Sequence, residues 1–493
     1  MSRWKRALIT PFVKQCIVTT GASVNMAATT LVMAYSSGLV LQLRRPHSEV
    51  PVDKSIESWI AASPAISGLI GSSLTAVSMA CLGRWISQIA SITTLIIGWS
   101  SIIFAKDVAV ILIGRFFHGL AMGSSIILTP IMVSEYASPR YRGAFMMFTG
   151  VLSGIYVLLS HTTALYLHWR TNAVIGAVIA IANLPVAIYS PESPSWLSAK
   201  QRYDDCRRVF RWLRGDDEEE ELGNMIKASE ISHKLERDNS KPKSDMSIKN
   251  ILIELKNMVL KKEFYKPILV MMHAYILGQW AGGHLFNTYI FDILEYVVGK
   301  GHNEQAMGLN INRLLGAILS TYIITKTKRK TMFLAFSGLN AMLLFITAAY
   351  AYAKSKDLLP FESPIIGLVF LHLLMFCITA GTLPLPYIIA GEVFPLKYKS
   401  ISSGFCLALV FINTSGIVKS FPYLLSSIGI YGAFTMYGSI VSYCLLIAYL
   451  YLPETKDRTL QEIEEEMIGK PASMEDLKSV QSLINKPVNK EID

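Results

Sequence analysis

Residues 135–142 read Glu-Tyr-Ala-Ser-Pro-Arg-Tyr-Arg, and residues 392–399 read Glu-Val-Phe-Pro-Leu-Lys-Tyr-Lys. In each stretch an acidic residue precedes a basic one by seven positions with a proline between them, and the stretches are 257 positions apart. Two further pairs of motifs are 262 and 245 positions apart: Pro191-Glu192-Ser193 with Pro453-Glu454-Thr455, and Gly83-Arg84 with Arg329-Lys330. Three pairs at similar offsets and in the same direction indicate two parallel repeats.

Long apolar runs surround these motifs. A helix that crosses the hydrocarbon core needs about 20 apolar residues, and such runs occur six times on each side of a polar interval. We number them span one to span twelve: about 16–42, 58–82, 88–105, 108–134, 144–167, 171–189, 265–291, 306–325, 331–353, 364–391, 401–424 and 429–452. The sequence therefore predicts an all-α membrane protein whose twelve transmembrane helices form two parallel-repeat six-helix bundles, at 16–189 and 264–452.

The composition supports a membrane protein and excludes two other classes. Apolar residues make up 52% of the 493 residues and charged residues 17%, against roughly 25% charged in soluble globular chains. Too few charges remain to cover a soluble protein of this size or to keep the chain disordered. The net charge of +10 is explained by basic residues in the cytoplasmic loops of a membrane protein rather than by a nucleic-acid partner.

Three polar segments lie outside the bundles: an N-terminal segment (1–15), a linker (190–263) in which we expect short surface helices, and a C-terminal tail (453–493). An even number of spans places both termini on one side of the membrane. If that side is inside, the short inner segments carry more Lys and Arg than the outer loops, and this bias marks the cytoplasmic side. We therefore expect both termini and the linker to be cytosolic.

The repeated acidic and basic residues lie where the helices leave the hydrocarbon, a region in which an unpaired charge is costly. Acid and base within each half are expected to pair, and the network they form would hold the two bundles together on the cytosolic side while the outer side is open. Its parting would accompany inward opening; ordinary anchoring at the membrane interface is the alternative. The predicted gating network comprises Arg84, Glu135, Arg142, Arg329, Glu392 and Lys399.

Several motifs resemble those of the sugar porter family in the major facilitator superfamily, over about residues 16–465. Residues 114–119, 130–135 and 139–143 resemble the family's fourth-helix signature, and residues 191–197 resemble its mid-chain motif. Its tenth-helix and twelfth-helix motifs resemble residues 386–395 and 453–456, and residues 58–61 with Lys419 look most like the insect facilitated trehalose transporter branch. The resemblance implies alternating-access transport of a sugar, trehalose or hexose-like, and by family default a plasma-membrane location.

Family members that couple sugar to protons usually carry an acidic residue in span one, because coupling needs a titratable group near the site. Span one of this chain contains no Asp or Glu. We therefore expect facilitated, uncoupled transport.

The resemblance also implies where a sugar binds. Hydroxyl groups need amide side chains as partners and the ring needs aromatic faces. One of two adjacent glutamines usual in span seven is kept as Gln279, whereas the usual asparagine there is His284 and the stretch ends at Tyr289. Tyr387 and Phe411 stand where the family has tryptophans in spans ten and eleven. The predicted substrate-binding residues are Gln279, His284, Tyr289, Arg313, Tyr387 and Phe411.

Arg313 stands where the family has an asparagine in span eight. It lies twelve positions before Thr325, about 18 Å from the inner end of the helix. A lone cation there costs about 3 kcal/mol on insertion scales. Two interpretations stay open: Arg313 pairs structurally, with Asp292 and Glu295 as the nearest acids in the fold, or it faces the cavity and favours an anionic substrate.

Other functions remain as alternatives. The chain is also consistent with a carrier of an anionic or otherwise non-sugar solute, and with a sensor that keeps the scaffold but does not transport. We expect no enzyme, because the sequence contains no phosphate loop, nucleophile elbow or zinc-protease helix. We expect no cofactor and no metal site, and a monomer as the default, with a small-molecule solute and the lipid bilayer as partners.

Overall fold

The structure is a computed structural model that describes residues 10–45, 48–215, 218–238, 261–359, 363–395, 398–456, 458 and 460–468. Three segments lie outside these residues: the basic residues before position 10, the Lys-containing part of the linker at 239–260, and the tail beyond 468. Within the described residues the regular structure is helical, with no strand. The chain is a multi-pass membrane protein.

The twelve spans follow the predicted order. Eleven of them satisfy the length and hydropathy of a membrane-crossing helix among the described residues; span seven differs because it is divided into two shorter helices. The bounds are Pro11–Leu43, Lys54–Cys81, Arg84–Ile103, Val108–Tyr136, Pro139–Tyr166, Trp169–Tyr189, Lys262–Trp280 with Gly283–Val297, Gln305–Lys326, Arg329–Ser355, Pro364–Cys377 with Ile378–Thr382 and Leu385–Val393, Lys399–Ser427, and Gly429–Tyr451.

Local sequence sets several helix ends. Span one begins after Thr10, whose hydroxyl accepts from the Val13 N–H at 3.4 Å, and has a proline in its first turn. Spans two and four begin after Asp53 and Asp107, whose carboxylates accept backbone N–H groups at 2.7 Å and 3.0 Å. Such side chains satisfy amide groups that have no partner within the helix.

The bundle has two opposite faces. The linker face is the one at which span one begins and on which the linker helices lie: Pro194–Ala199, Tyr203–Arg214 and Glu219–Asp238. The distal face is the opposite one, at which span one ends and span two begins. The linker helices share a small apolar core that includes Cys206 and Phe210. The buried Arg214 of this layer donates to the carbonyls of Glu135 and Ala137 at 3.1 Å and 3.0 Å, which docks the layer on span four.

A buried guanidinium fastens the first half together. Arg115 of span four is fully buried and donates to the carbonyls of Ile60 and Val32 at 3.0 Å each, and to the Ser36 hydroxyl. Spans two and four also approach closely, since a Cβ on Gly123 would overlap the backbone of span two. Spans one, two and four therefore form one tightly packed unit.

Two spans of the second half are broken. In span seven, Gly282 has a φ of +112°, a left-handed conformation that glycine adopts without strain, and Tyr289 has non-helical angles of −130° and 30°. In span ten a π-helical turn at Ile378–Thr382 precedes the Pro384 region. The break in span ten coincides with Gly381, Pro384 and Pro386, residue types that interrupt a regular helix.

Candidate functional site

Charged side chains close the linker end of the first half. The Arg84 guanidinium donates two hydrogen bonds to the Glu135 carboxylate, at 2.9 Å and 2.7 Å. The Glu192 carboxylate accepts the backbone N–H groups of Arg84 and Ser193 at 2.8 Å, so it caps span three. Burial raises the pKa of Glu192 above the ordinary range of a glutamate, and these N–H donors act against that rise.

The second half contains the same construction. Arg329 pairs with Glu392, as Arg84 pairs with Glu135. Glu454 accepts the backbone N–H groups of Arg329 and Lys330 at 3.0 Å and 3.2 Å, so it caps span nine. The repeat that the sequence motifs indicate is therefore present in the bonding of equivalent residues.

The linker-face charges pair differently from the simplest expectation. Glu135 bonds to Arg84 rather than to Arg142, which instead donates to the carbonyl of Ala137 at 3.1 Å and to Glu221 of the linker at 3.3 Å. The Lys399 side chain lies outside the described residues. The three described ion pairs of predicted gating residues, Arg84–Glu135, Arg329–Glu392 and Arg142–Glu221, each join residues of one half or of that half and its linker.

On the distal face, in contrast, an ion pair crosses between the halves. Arg44, just beyond span one, pairs with Glu57 of span two and with Asp292 of span seven. Side-chain exposure is 34% for Arg44, 6% for Glu57 and 14% for Asp292. These residues line a cavity of about 330 Å³ together with Lys54, Tyr296 and the end of span eleven.

Spans two and eleven meet below this cavity. The Lys419 ammonium lies 3.3 Å from the centre of the Trp59 ring, a cation–π contact between the halves. Deeper in the membrane Phe411, which is buried, lies against Gly68, and a Cβ at Gly68 would come within 2.5 Å of its ring. Together with the Arg44 pair, these contacts hold the distal ends of the two halves together.

Three spans of the second half converge on Gln279. Its amide nitrogen donates to the Tyr387 hydroxyl at 3.2 Å, and its oxygen accepts from Thr414 of span eleven at 2.9 Å. Tyr387 is 42% exposed although Gln279 is buried, so its ring forms the accessible side of the group. Next to it, the Trp280 indole donates to Asn413 at 3.1 Å. Amides, hydroxyls and aromatic rings are the groups that bind a sugar.

Two other predicted residues have different surroundings. The buried Tyr289 donates its hydroxyl to the carbonyl of Val418 at 3.0 Å and packs on Phe421. Its polar group is therefore bonded to backbone. His284 is partly buried, and its buried Nδ1 has no hydrogen-bond partner among the described residues.

Arg313 extends from span eight to span seven, where it donates to the side-chain oxygen of Asn287. His161 of span five donates from Nε2 to the Asn287 carbonyl at 3.0 Å and accepts at Nδ1 from Asn310 at 2.9 Å. This group joins the two halves inside the membrane, toward the distal ends of spans five and eight. Neither acid named as a candidate partner pairs with Arg313: Asp292 binds Arg44, and Glu295 is exposed.

Sequence reasoning assigned no site role to His161, Thr414, Asn287 or Asn310. Polar residues in apolar spans are the signal for all of these, because such residues need a partner inside the membrane. The sequence contains many of them, and only packing shows which ones meet. Sequence reasoning also missed the ion pairs of Arg44 with Glu57 and Asp292, because these residues belong to separate segments of the chain.

A family model described as Sugar (and other) transporter matches residues 15–467. The chain belongs to this sugar transporter family. The predicted family is therefore confirmed, and the protein is a membrane transporter of that family.

Two relatives in the sugar transporter family cover most of the chain. The facilitated trehalose transporter Tret1 of Apis mellifera ligustica is 26% identical over 461 residues, which is 91% of this chain and 88% of the relative. The protein of the same name from Culex quinquefasciatus is 26% identical over 481 residues, with coverage of 94% and 88%.

Solved structures establish the fold. The inward-open conformation of the xylose transporter XylE from E. coli superposes with a TM-score of 0.73 at 17% identity, covering 91% of this chain and 99% of that one. A crystal structure of a D-xylose-proton symporter gives a TM-score of 0.67 at 17% identity, with coverage of 90% and 99%. The predicted twelve-helix fold of the major facilitator superfamily is thus confirmed.

Proposed function

We propose that the protein is a facilitative sugar carrier that works by alternating access. The Gln279–Tyr387–Thr414 group is the observation that carries this proposal, because it presents amide, hydroxyl and ring together inside the membrane. The named function of the relatives makes trehalose the first substrate to test, with hexoses next.

The distribution of contacts supports a two-state cycle. In this structure, ion-pair and cation–π contacts of Arg44 and Lys419 join the halves at the distal face. The described ion pairs of the gating residues on the linker face remain within one half and its linker. Opening of the distal face requires the Arg44 and Lys419 contacts to break, and the breaks in spans seven and ten provide positions at which those helices bend.

The lack of acidic residues in span one supports uncoupled transport. The helix Pro11–Leu43 has no Asp or Glu, so it offers no carboxylate to exchange a proton during the cycle. Both termini and the linker helices are assigned to the cytosol in this proposal, and the plasma membrane is the proposed location. Impermeant labelling of single cysteines in intact cells, placed at residue 10 and at residue 427, tests the orientation.

Uptake into proteoliposomes tests the function. Purified full-length protein is supplied with labelled trehalose, glucose, a polyol and a sugar acid, with and without a protonophore. We expect at least one sugar to equilibrate without accumulation, and the protonophore to have no effect. Accumulation abolished by the protonophore contradicts uncoupled transport. Specific binding without flux contradicts a carrier and indicates a sensor.

A further inference from the structure

We propose that Arg313 makes this site selective for a sugar that carries an anionic oxygen group, a carboxylate or a phosphate. The inference rests on the proposed carrier function and specifies its substrate class. It starts from the depth of the side chain: Arg313 lies eight positions after the first residue of span eight, about 12 Å from the distal end of that helix.

No carboxylate among the described residues forms an ion pair with Arg313. Its hydrogen-bond partner is the neutral amide oxygen of Asn287. Among the described residues, the ion pairs of the distal half involve Arg44 and Arg170 but not Arg313. A cation held in the membrane without a carboxylate is costly, and the usual reason to retain one is function.

The chemistry of a guanidinium narrows the ligand. It has five N–H donors in a planar arrangement that matches two oxygens of a carboxylate or phosphate. The bond to Asn287 uses one of these donors. An anionic ligand oxygen that replaces or joins the Asn287 oxygen forms a stronger hydrogen bond with Arg313, because bonds between charged partners are stronger than bonds to neutral ones.

A second, independent observation lies beside it. His284, on the same helix as Asn287, has a buried Nδ1 without a partner among the described residues. His284 precedes Asn287, the acceptor of the Arg313 guanidinium, by three positions in the same helix, so the two side chains lie on one face of it. A ligand oxygen between Arg313 and His284 would satisfy both groups.

The neutral part of the same ligand has its own partners. Gln279 lies at the end of the first helix of span seven, and His284 and Asn287 lie in the first turns of the second helix. Gln279 and the exposed Tyr387 ring stand at one end of this stretch. We therefore expect the sugar ring near Gln279 and Tyr387, and its acidic group toward Arg313.

A pair of isosteric ligands tests the charge without any mutation. Binding of glucuronate and of its neutral amide, glucuronamide, is measured by calorimetry on the full-length protein in nanodiscs. We expect glucuronate to bind at least tenfold more tightly. Glucose 6-phosphate serves as the second arm and decides whether a phosphate or a carboxylate is preferred. Equal affinities for glucuronate and glucuronamide, or no binding of any anionic sugar, overturn the proposal.

Variants then assign the effect to one residue. Arg313→Asn is expected to abolish the preference for glucuronate over glucuronamide, and Arg313→Lys to retain part of it. Arg170→Asn is the matched control: it removes another arginine, one that pairs with Glu49 in the first half, and should leave the preference unchanged. If Arg313→Asn does not fold, the ligand pair on the unaltered protein still decides. Anion-selective binding without uptake contradicts the carrier function but leaves this inference standing.

Discussion

The two halves of the molecule agree at their linker ends and differ inside the membrane. At the ends, Arg84–Glu135 and Arg329–Glu392 occupy equivalent positions, and Glu192 and Glu454 cap equivalent helices. Inside the membrane the six spans of the first half are continuous helices, whereas spans seven and ten of the second half are broken. The repeat has thus kept its ends and diverged in its middle.

The difference separates two roles. Several buried polar side chains of the first half bond to one another, as Ser23 does with Thr149 at 2.7 Å and Asn25 with Ser91 at 3.1 Å, whereas His161 and Arg44 bond across to the second half. The linker helices support the same half from below. In the second half the Gln279 group has an accessible member, and the helices that carry it are interrupted. We infer that the first half is the rigid frame, and that the second half binds the substrate and contains the helices that bend.

The largest expected effect comes from removing the central amide. Gln279→Leu should lower sugar uptake by about 100-fold, because the Tyr387 and Thr414 hydroxyls each lose a buried partner at about 1–2 kcal/mol apiece. The control in the first half is Ser23→Ala, which removes a bond that stays within the frame. Initial uptake rates in proteoliposomes measure both variants. Equal losses for the two would remove the distinction between frame and binding half.

The crossing ion pair on the distal face comes next. Asp292→Asn weakens a partly buried pair by about 1 kcal/mol, which corresponds to about fivefold more protein open at this face. Labelling of a cysteine at position 426, in the distal cavity, with an impermeant maleimide measures the change in a background without the native cysteines. Glu49→Gln, which alters a distal pair inside the first half, should not raise labelling.

The repeated pairs at the linker face test whether the halves are equivalent there. Arg84→Gln and Arg329→Gln are each expected to reduce uptake about threefold, since each leaves a partly buried glutamate without its partner. Uptake rates of the two variants, normalised to the amount of protein in the vesicles, should agree within a factor of about two. A severe loss in one and none in the other would show that the ends have diverged as well.

The smallest effect is expected where the frame meets its linker. Arg142 and Glu221 are 37% and 34% exposed and 3.3 Å apart, and pairs of this kind contribute about 0–1 kcal/mol. Arg142→Gln, which leaves the pair of Glu221 with the buried Arg214 in place, should therefore lower the melting temperature in detergent by less than about 2 °C. Differential scanning fluorimetry measures it, and a drop of 5 °C or more would make the linker part of the folded frame rather than an attachment to it.

The sequence was sufficient for the fold because apolar runs and repeated motifs are local signals. All twelve spans lie where the apolar runs predict them. Span seven shows the limit: its run at 265–291 is continuous in sequence, but Gly282 divides the helix. A glycine in the sequence shows that a left-handed turn is possible at that position, but not that the chain forms one.

The candidate site was only partly accessible from sequence. Gln279 and Tyr387 were named and do bond to each other, whereas Tyr289 was named and bonds to backbone. Helix rotation decides which of these faces the interior, and a span that is apolar on all sides does not encode its rotation. The partners of Arg313 and Arg44 come from spans far away in the chain, so no sequence spacing identifies them.

The buried Arg115 has a consequence for biosynthesis. Span four carries a guanidinium whose acceptors are the Val32 and Ile60 carbonyls and the Ser36 hydroxyl of spans one and two. Released alone into lipid, that helix would expose the charge at a cost of about 3 kcal/mol on insertion scales. Stable insertion of span four therefore depends on its contacts with spans one and two, and Arg115→Leu would make its insertion independent of them.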